Sequence, residues 1–263
     1  MTNDAVLIEI EKGVAAIRFN RPERLNALSL EVACGFADAI DSVLADSSVR
    51  VITVSGAGRA FLAGGDLAHF RGAADRGAAA AELIDPIHSA LKKLAAAPPI
   101  TIAVLHGAVV GAGMSIAMGL DMAIAADTTV MNVAYGKVAA SPDCGGSWAL
   151  VRHVGLRRAM ELALLSDDIP AEQALALGLV SKVVAAAELQ TETEKLTARL
   201  LAGGGFANGQ IKKLMRGALD HDYHDQLALE ATSFAACART DDFAEAVTAF
   251  LDKRRPVFGS PAG

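Results

Sequence analysis

The chain is poor in cysteine and has no concentration of positive charge, and each shortage removes a class of function. Its three cysteines, Cys34, Cys144 and Cys237, are odd in number and unclustered. Neither a disulfide framework nor a zinc site is expected from them, and a reducing cytoplasm is the compartment they fit. Net charge is −6 and no run of Lys or Arg forms a stripe, which argues against a nucleic-acid partner or an anionic membrane surface. The amino terminus, MTNDAVLIEIEKG, carries acids early and lacks an apolar block with a small-residue cleavage site, so it does not read as a secretory leader. One stretch, Ile100 to Leu120, is long enough to cross a bilayer. It follows Pro98 and Pro99, holds glycines at 107, 111, 113 and 119, and has no flanking positive charge. A buried strand, a tight turn and a buried helix are therefore predicted there, and no membrane contact.

What is present is apolar residue, 52% of 263 positions, enough for one large core with an appended helical piece. Residues 1–200 are expected to form the core and 201–263 a helical region packed on it or on a neighbouring subunit. Val6–Ile10 and Val14–Phe19 read as a strand pair around Lys12-Gly13, and Ser29 as the cap of a helix reaching about Asp46. Strands are predicted from Arg50, Ile100, Met122, Val130 and Leu179, with helices after Ala112, over Gly145–His153 and Leu156–Leu165, and from Pro170. Arg71–Ala81, rich in Ala and Gly, reads as a mobile loop before a helix over Glu82–Ala96. From Ala185 the pattern is helical to Lys253, broken near Gly203–Gly205 and capped again at Thr240. Strand, strand, helix units of this kind imply an α/β core with mostly parallel strands. No internal repeat is visible at the level of residues.

Two glycine-rich turns dominate the chain, FLAGGD (Phe61–Asp66) and HGAVVGAGM (His106–Met114), each where a strand pattern gives way to a helical one. Small residues there let backbone approach a ligand and leave N–H groups free at a helix start. Two such groups, those of Gly65 and Ala112, aimed at one oxygen would make an oxyanion hole.

Five blocks in order carry a resemblance over nearly the whole chain: FNRPERLNALS (19–29), GRAFLAGGDL (58–67), HGAVVGAGMSIAMGLDMAIAAD (106–127), SPDCGGSW (141–148) and FLDKRRPVF (250–258). The chain resembles the crotonase, or enoyl-CoA hydratase/isomerase, superfamily. The resemblance implies a spiral of ββα units with a C-terminal helical trimerisation region, a homotrimer or dimer of trimers, and a coenzyme A thioester as substrate without a separate cofactor or metal. It assigns the oxyanion donors to Gly65 and Ala112, and the lining of the CoA site to Arg24, Leu25, Ala63, Gly64, Asp66 and Leu67, with Asp66 also a helix cap. Phe250 and Lys253 match positions that reach a neighbour's CoA site in relatives.

The departures inform as much as the matches. Where hydratases of the superfamily carry two glutamates, this chain has Ser115 and Tyr135, and Asp143 matches the acid of its single-carboxylate isomerases. PDCGGSW and the helix Arg157–Leu165 resemble the ring-1,2-epoxyphenylacetyl-CoA isomerases most closely, and these in turn resemble Δ3,Δ2-enoyl-CoA isomerases. The implied activity is acyl-CoA isomerisation with Asp143 as acid and base. A hydratase, a thioester hydrolase and a non-catalytic CoA-binding protein are the alternatives.

Read without the resemblance, Asp143 before Gly145 and Gly146 would be an N-cap. Ser115, Tyr135 and His88 are candidates to wall the acyl pocket, with Val138 and Trp148 as apolar neighbours of the acid. Cys144 reads as a small buried neighbour of the acid without nucleophilic duty. His69, His106, His221 and His224 read as packing or surface residues.

Overall fold

The computed structural model describes residues 5–259. Two strands, β1 (Val6–Glu11) and β2 (Val14–Phe19), pair antiparallel from Val6↔Phe19 to Glu11↔Val14. Lys12 and Gly13 turn between them with φ of 49° and 82°, the left-handed pair that a two-residue hairpin requires. Helix α1 (Leu30–Leu44) follows, with Ser29 Oγ accepting from the Val32 N–H as its cap.

The chain then winds through three strand, strand, helix units. Each unit places its first strand in one sheet and its second in another: β3 (Val51–Gly56) and β4 (Ala60–Ala63), β5 (Ile100–Leu105) and β6 (Ala108–Val110), β7 (Met122–Ala126) and β8 (Val130–Asn132). The six-stranded sheet has the order β1-β2-β3-β5-β7-β10, closed by β10 (Lys182–Val184), and is parallel from β2 onward. The four-stranded sheet has the order β4-β6-β8-β9, with β9 (Ile169–Pro170) antiparallel to β8. Helices α2 (Ala68–Arg71) and α3 (Arg76–Ala96) close the first unit, α4 (Ala112–Gly119) the second and α5 (Gly146–Leu165) the third, before α6 (Ala171–Ala176) leads into β10.

Alternation along the strands divides the core. Ile52, Val54, Ala103, Leu105 and Ala125 join Phe19, Phe36, Phe61, Ile87 and Met114 in the main cluster between the sheets and helices. Val51, Ile102, Val104, Ile124 and Val184 face the other way, against Leu189, Leu196 and Leu200 of α7 (Leu189–Leu201). Strand β5 is buried on both faces, as a central parallel strand should be. Among the described residues no helix is long and apolar enough to cross a membrane.

Three expectations need correction. The glycine-rich motifs contain strands: β4 and β6 are too short to show a period, and both lie within stretches that read as turns. The Ala-rich segment from Arg76 is helical. Asp75 Oδ1 accepts from the Gly77 and Ala78 N–H groups at 2.8 and 3.0 Å, and alanine is the strongest helix former. The last strand is Lys182–Val184 and does not begin at Leu179. The two helices predicted over 145–165 are present within α5, separated by a break at Gly155 with φ 75° and ψ 162°.

The tail comprises α8 (Gly205–Gly217), α9 (Tyr223–Cys237) and α10 (Asp241–Leu251, capped by Thr240). Buried Lys212 ties α8 to the core. Its Nζ donates to the Leu94 and Pro99 carbonyls at 2.8 Å each and lies 3.1 Å from Asp121 Oδ2. Asp121 also accepts from Arg216 Nε at 2.7 Å and from the Thr101 N–H and hydroxyl at 2.8 Å. The Arg216 guanidinium reaches on to the Gly119 carbonyl at 2.7 Å, at the end of α4.

Candidate active site

The two glycine turns meet. Parallel pairing of β4 and β6 ends at Ala63↔Val110, so both chains leave the sheet side by side at its carboxyl edge. A β-carbon on Gly111 would lie 3.4 Å from Gly64 Cα, and Gly111 has φ 54° and ψ −118°, a conformation open to glycine alone.

The direction of the two N–H groups follows from peptide planarity, which points the C=O and N–H of one peptide opposite ways. The Gly64 carbonyl accepts from the Leu28 N–H at 2.8 Å, so the Gly65 N–H points away from that loop, to the side of β6 and α4. The Gly111 carbonyl accepts from the Ser115 N–H at 3.0 Å in the first turn of α4. The Ala112 N–H therefore points out of the helix start, where the dipole favours negative charge. Such a pair has the orientation an oxyanion hole requires, where each donor contributes about 3–4 kcal/mol to transition-state stabilisation.

Loop 21–28 is stapled against this turn. Ala63 N–H donates to Leu25 O at 3.0 Å and Asp66 N–H to Leu28 O at 2.8 Å, which brings Arg24 and Leu25 beside Ala63, Gly64 and Asp66. Arg24 and Leu67 are exposed; the others are half-buried. Asp66 accepts from the Ala68 N–H at 3.1 Å and faces Arg21 at 3.8 Å; it turns the chain ahead of α2, whose N-cap position is Leu67 rather than the expected Asp66.

Sequence reasoning missed the staple's centre. Asn26, fully buried with φ 56°, shares its Nδ2 protons among the carbonyls of Ala57, Ala60 and Phe61 at 2.8–3.1 Å. Its Oδ1 accepts from the Arg21 N–H at 2.8 Å. Asparagine's tolerance of left-handed backbone was the one local signal.

Asp143 lies between a single 3-10 turn (Tyr135–Val138) and α5. Its carbonyl accepts from the Gly146 N–H at 2.8 Å, while its side chain does not cap the helix. The carboxylate Oδ1 instead accepts from the Tyr135 hydroxyl, which lies 3.0 Å from Ser115 Oγ. Burial first, and then the Asp143 charge, push the Tyr135 phenol well above its ordinary range, so it is a donor at neutral pH. Its single proton goes to the carboxylate, which leaves Ser115 to donate to the phenol oxygen. Ser115 stands one turn beyond Ala112 on α4, and a β-carbon on Gly146 would come within 2.2 Å of its Oγ. One helix thus holds an N–H donor at its start and the end of a hydroxyl relay to the acid.

Cys144 is buried, and desolvation followed by the Asp143 charge raises its thiol far above the thiolate range, in keeping with a packing role. Its N–H donates to His88 Nε2 of α3 at 3.1 Å. Trp148 is not a wall of the acid: Arg152 stacks on its ring at 3.9 Å, and it lines a separate cavity of about 420 Å³ between α5 and α8. Val138 is largely exposed. His69 bonds the Ala79 carbonyl and His106 the Gly58 carbonyl, while His221 and His224 are exposed.

Comparison with known proteins gives the family. The Enoyl-CoA hydratase/isomerase family model matches residues 9–261. The chain is 36% identical over 258 residues to the 1,2-epoxyphenylacetyl-CoA isomerase of Escherichia coli K12, covering 96% of this chain and 97% of that one. It is 34% identical over 258 residues to a probable enoyl-CoA hydratase of Rhodobacter capsulatus, covering 98% and 99%. It superposes on a putative enoyl-CoA hydratase of Thermobifida fusca in complex with acetoacetyl-CoA with a TM-score of 0.82 at 30% identity, over 89% of this chain and 94% of that one. Two sheets wound from strand, strand, helix units, with two glycine turns meeting at their strand ends, define a crotonase-fold enzyme. This chain belongs to the enoyl-CoA hydratase/isomerase family.

Proposed function

We propose that the protein is an acyl-CoA isomerase, acting on a ring-1,2-epoxyphenylacetyl-CoA or a Δ3-enoyl-CoA, with Asp143 as the single acid and base. The thioester carbonyl docks between the Gly65 and Ala112 N–H groups, and the CoA moiety lies along Arg24, Leu25 and Ala63–Leu67. Asp143 removes a proton from C2, and negative charge gathers on the carbonyl oxygen, where the two donors stabilise it more than they stabilise the ground state. The protonated Asp143 then returns the proton to C4, giving the conjugated thioester and regenerating the carboxylate. For the epoxide, the same group assists ring opening.

The observation that carries this reading is the company Asp143 keeps. Its partners are a phenol and a thiol, followed by a serine hydroxyl, and none of these is a carboxylate able to activate water. Similarity to the E. coli isomerase supports the reaction class, and the acetoacetyl-CoA complex of the T. fusca relative supports the ligand class. Exposed apolar side chains on α8–α10 and the turn after α8, among them Ile211, Met215, Leu219, Phe234 and Phe250, support a homotrimer or dimer of trimers.

The test is direct. Incubation with a trans-3-enoyl-CoA is expected to produce conjugated-enoyl absorbance, and Asp143→Asn to abolish it while CoA-ester binding persists. Fast formation of hydroxyacyl-CoA from a trans-2-enoyl-CoA, with the 3-enoyl ester left unconverted, would replace isomerase with hydratase.

A further inference from the structure

We propose that His88 is a positioning residue for Asp143, acting through the backbone N–H of Cys144 and only while its Nε2 carries no proton. The inference rests on the reading of Asp143 as acid and base.

The geometry is specific. Backbone N–H groups only donate, so the 3.1 Å bond from Cys144 N to Nε2 makes that nitrogen the acceptor. The neutral ring then carries its proton on Nδ1. The loop it holds is bent through two successive left-handed residues, Cys144 at φ 50° and Gly145 at φ 76°, and Cys144 is 1% exposed. Its N–H therefore has little access to bulk water in place of the imidazole. On one side the loop is pinned to α5 by the Gly146 N–H on the Asp143 carbonyl; on the other it is pinned to α3 by His88. Ile87 and Ala90, flanking His88 on α3, are buried, so the ring projects from a fixed platform. Asp143 is the residue next to the bond.

Protonation turns Nε2 into a donor facing a donor. The Cys144 N–H loses its acceptor, the loop has to shift, and the carboxylate moves with it. On α3 itself Asp85 and Lys92 stand one turn to either side, α1 carries Glu31, Asp38 and Asp41, the last paired with Lys93, α2 carries Arg71, α4 carries no titratable side chain, and the Asp143 carboxylate is next in sequence to the bonded N–H. His69 of α2 is engaged by the Ala79 carbonyl. The Cys144 thiol and Tyr135 phenol are pushed upward and stay neutral.

The experiment measures kcat and KM of the full-length enzyme on a trans-3-enoyl-CoA for wild type, His88→Ala, His88→Gln and Asp143→Asn between about pH 7.5 and about pH 5.5, across the ordinary titration range of histidine. His88→Ala is expected to lower kcat about tenfold to a hundredfold, with KM changed less than about twofold, as displacement of a reacting group does. His88→Gln, whose Oε1 accepts but does not titrate, is expected to recover most of that loss and to lack the fall in kcat expected of wild type towards the lower pH. A His88→Ala enzyme with wild-type kcat, or a His88→Gln enzyme with the wild-type acid limb, overturns the proposal. The 15N spectrum of histidine-labelled native enzyme gives a readout free of folding effects: an unprotonated Nε2 on His88 at neutral pH supports it, and a protonated one overturns it. If Asp143→Asn turns over normally, the reading of Asp143 fails; if it is inactive while His88→Ala matches wild type, only the role of His88 fails.

Discussion

Replacing Tyr135 with Phe removes one oxygen and disturbs two groups at once. The ring still fills its buried place, so the packing change is small. The Asp143 carboxylate loses a charge-assisted donor, a bond whose net contribution is about 1.5–3 kcal/mol. Ser115 Oγ, 3.0 Å from the phenol and 1% exposed, is left without that partner at a cost of about 1–3 kcal/mol. Because the carboxylate is half-buried and water can replace part of its loss, a net destabilisation of about 2 kcal/mol is expected. For a chain of this length that lowers Tm by about 4–8 °C. On activity, a freed carboxylate is expected to cost about tenfold in kcat, or about 1.4 kcal/mol of barrier, with KM little changed. The double variant Tyr135→Phe/Ser115→Ala sharpens the test. Removing both ends leaves no orphaned hydroxyl, so its loss of stability should be smaller than the sum of the two single losses. Calorimetry and steady-state kinetics on the four proteins complete the cycle. Strict additivity in Tm, or a wild-type kcat for Tyr135→Phe, would refute the relay.

Asn26→Asp puts an acceptor against three carbonyls while keeping the Arg21 contact. It should be more destabilising than Asn26→Ala, by more than about 1 kcal/mol in urea unfolding, and the reverse order would deny the staple. Gly111→Ala forces a side chain into a conformation closed to it, beside Gly64. A loss of about 2 kcal/mol in stability and about a hundredfold in kcat is expected, and unchanged kinetics would dissociate this turn from the oxyanion site. Lys212→Met leaves the Leu94 and Pro99 carbonyls without a donor and should cost about 2–4 kcal/mol. Lys212 also gives a pH signature. Burial holds its ammonium below the ordinary lysine value of 10.5, so unfolding takes up a proton in the window beneath that value and native stability rises with pH through it. Urea unfolding at successive pH values should show that rise in wild type and a flatter dependence in Lys212→Met.

The legible parts of this molecule were those set by neighbours in sequence. The β1–β2 hairpin, the Ser29 and Thr240 caps and the buried β5 follow from turn chemistry, capping residues and hydrophobic run length. Strands β4 and β6 were not legible because three or four residues carry no period, and what makes them strands is pairing with partners more than forty positions away. The α3 start was lost to a composition argument: Gly77 among alanines looked like a loop, while the cap at Asp75 settles it as helix. At the site, Gly65, Ala112 and Asp143 stood out as residue types in telling places. The Cys144–His88 bond and the Asn26 hub span 56 and 31–35 positions, and no local pattern announces such contacts. Trp148 was misplaced for the same reason, since its partner cavity is built by α8.

The anchoring of α8 has an outcome for biosynthesis. A ribosome releases the strands, the two glycine turns and Asp143 well before it reaches position 212, and until then the Leu94 and Pro99 carbonyls and the Asp121 carboxylate lack the ammonium they are arranged around. The nascent core therefore has all its strands before the ammonium that joins two of its carbonyls and a carboxylate exists, and a polypeptide ending ahead of that lysine is expected to be less stable than the full chain.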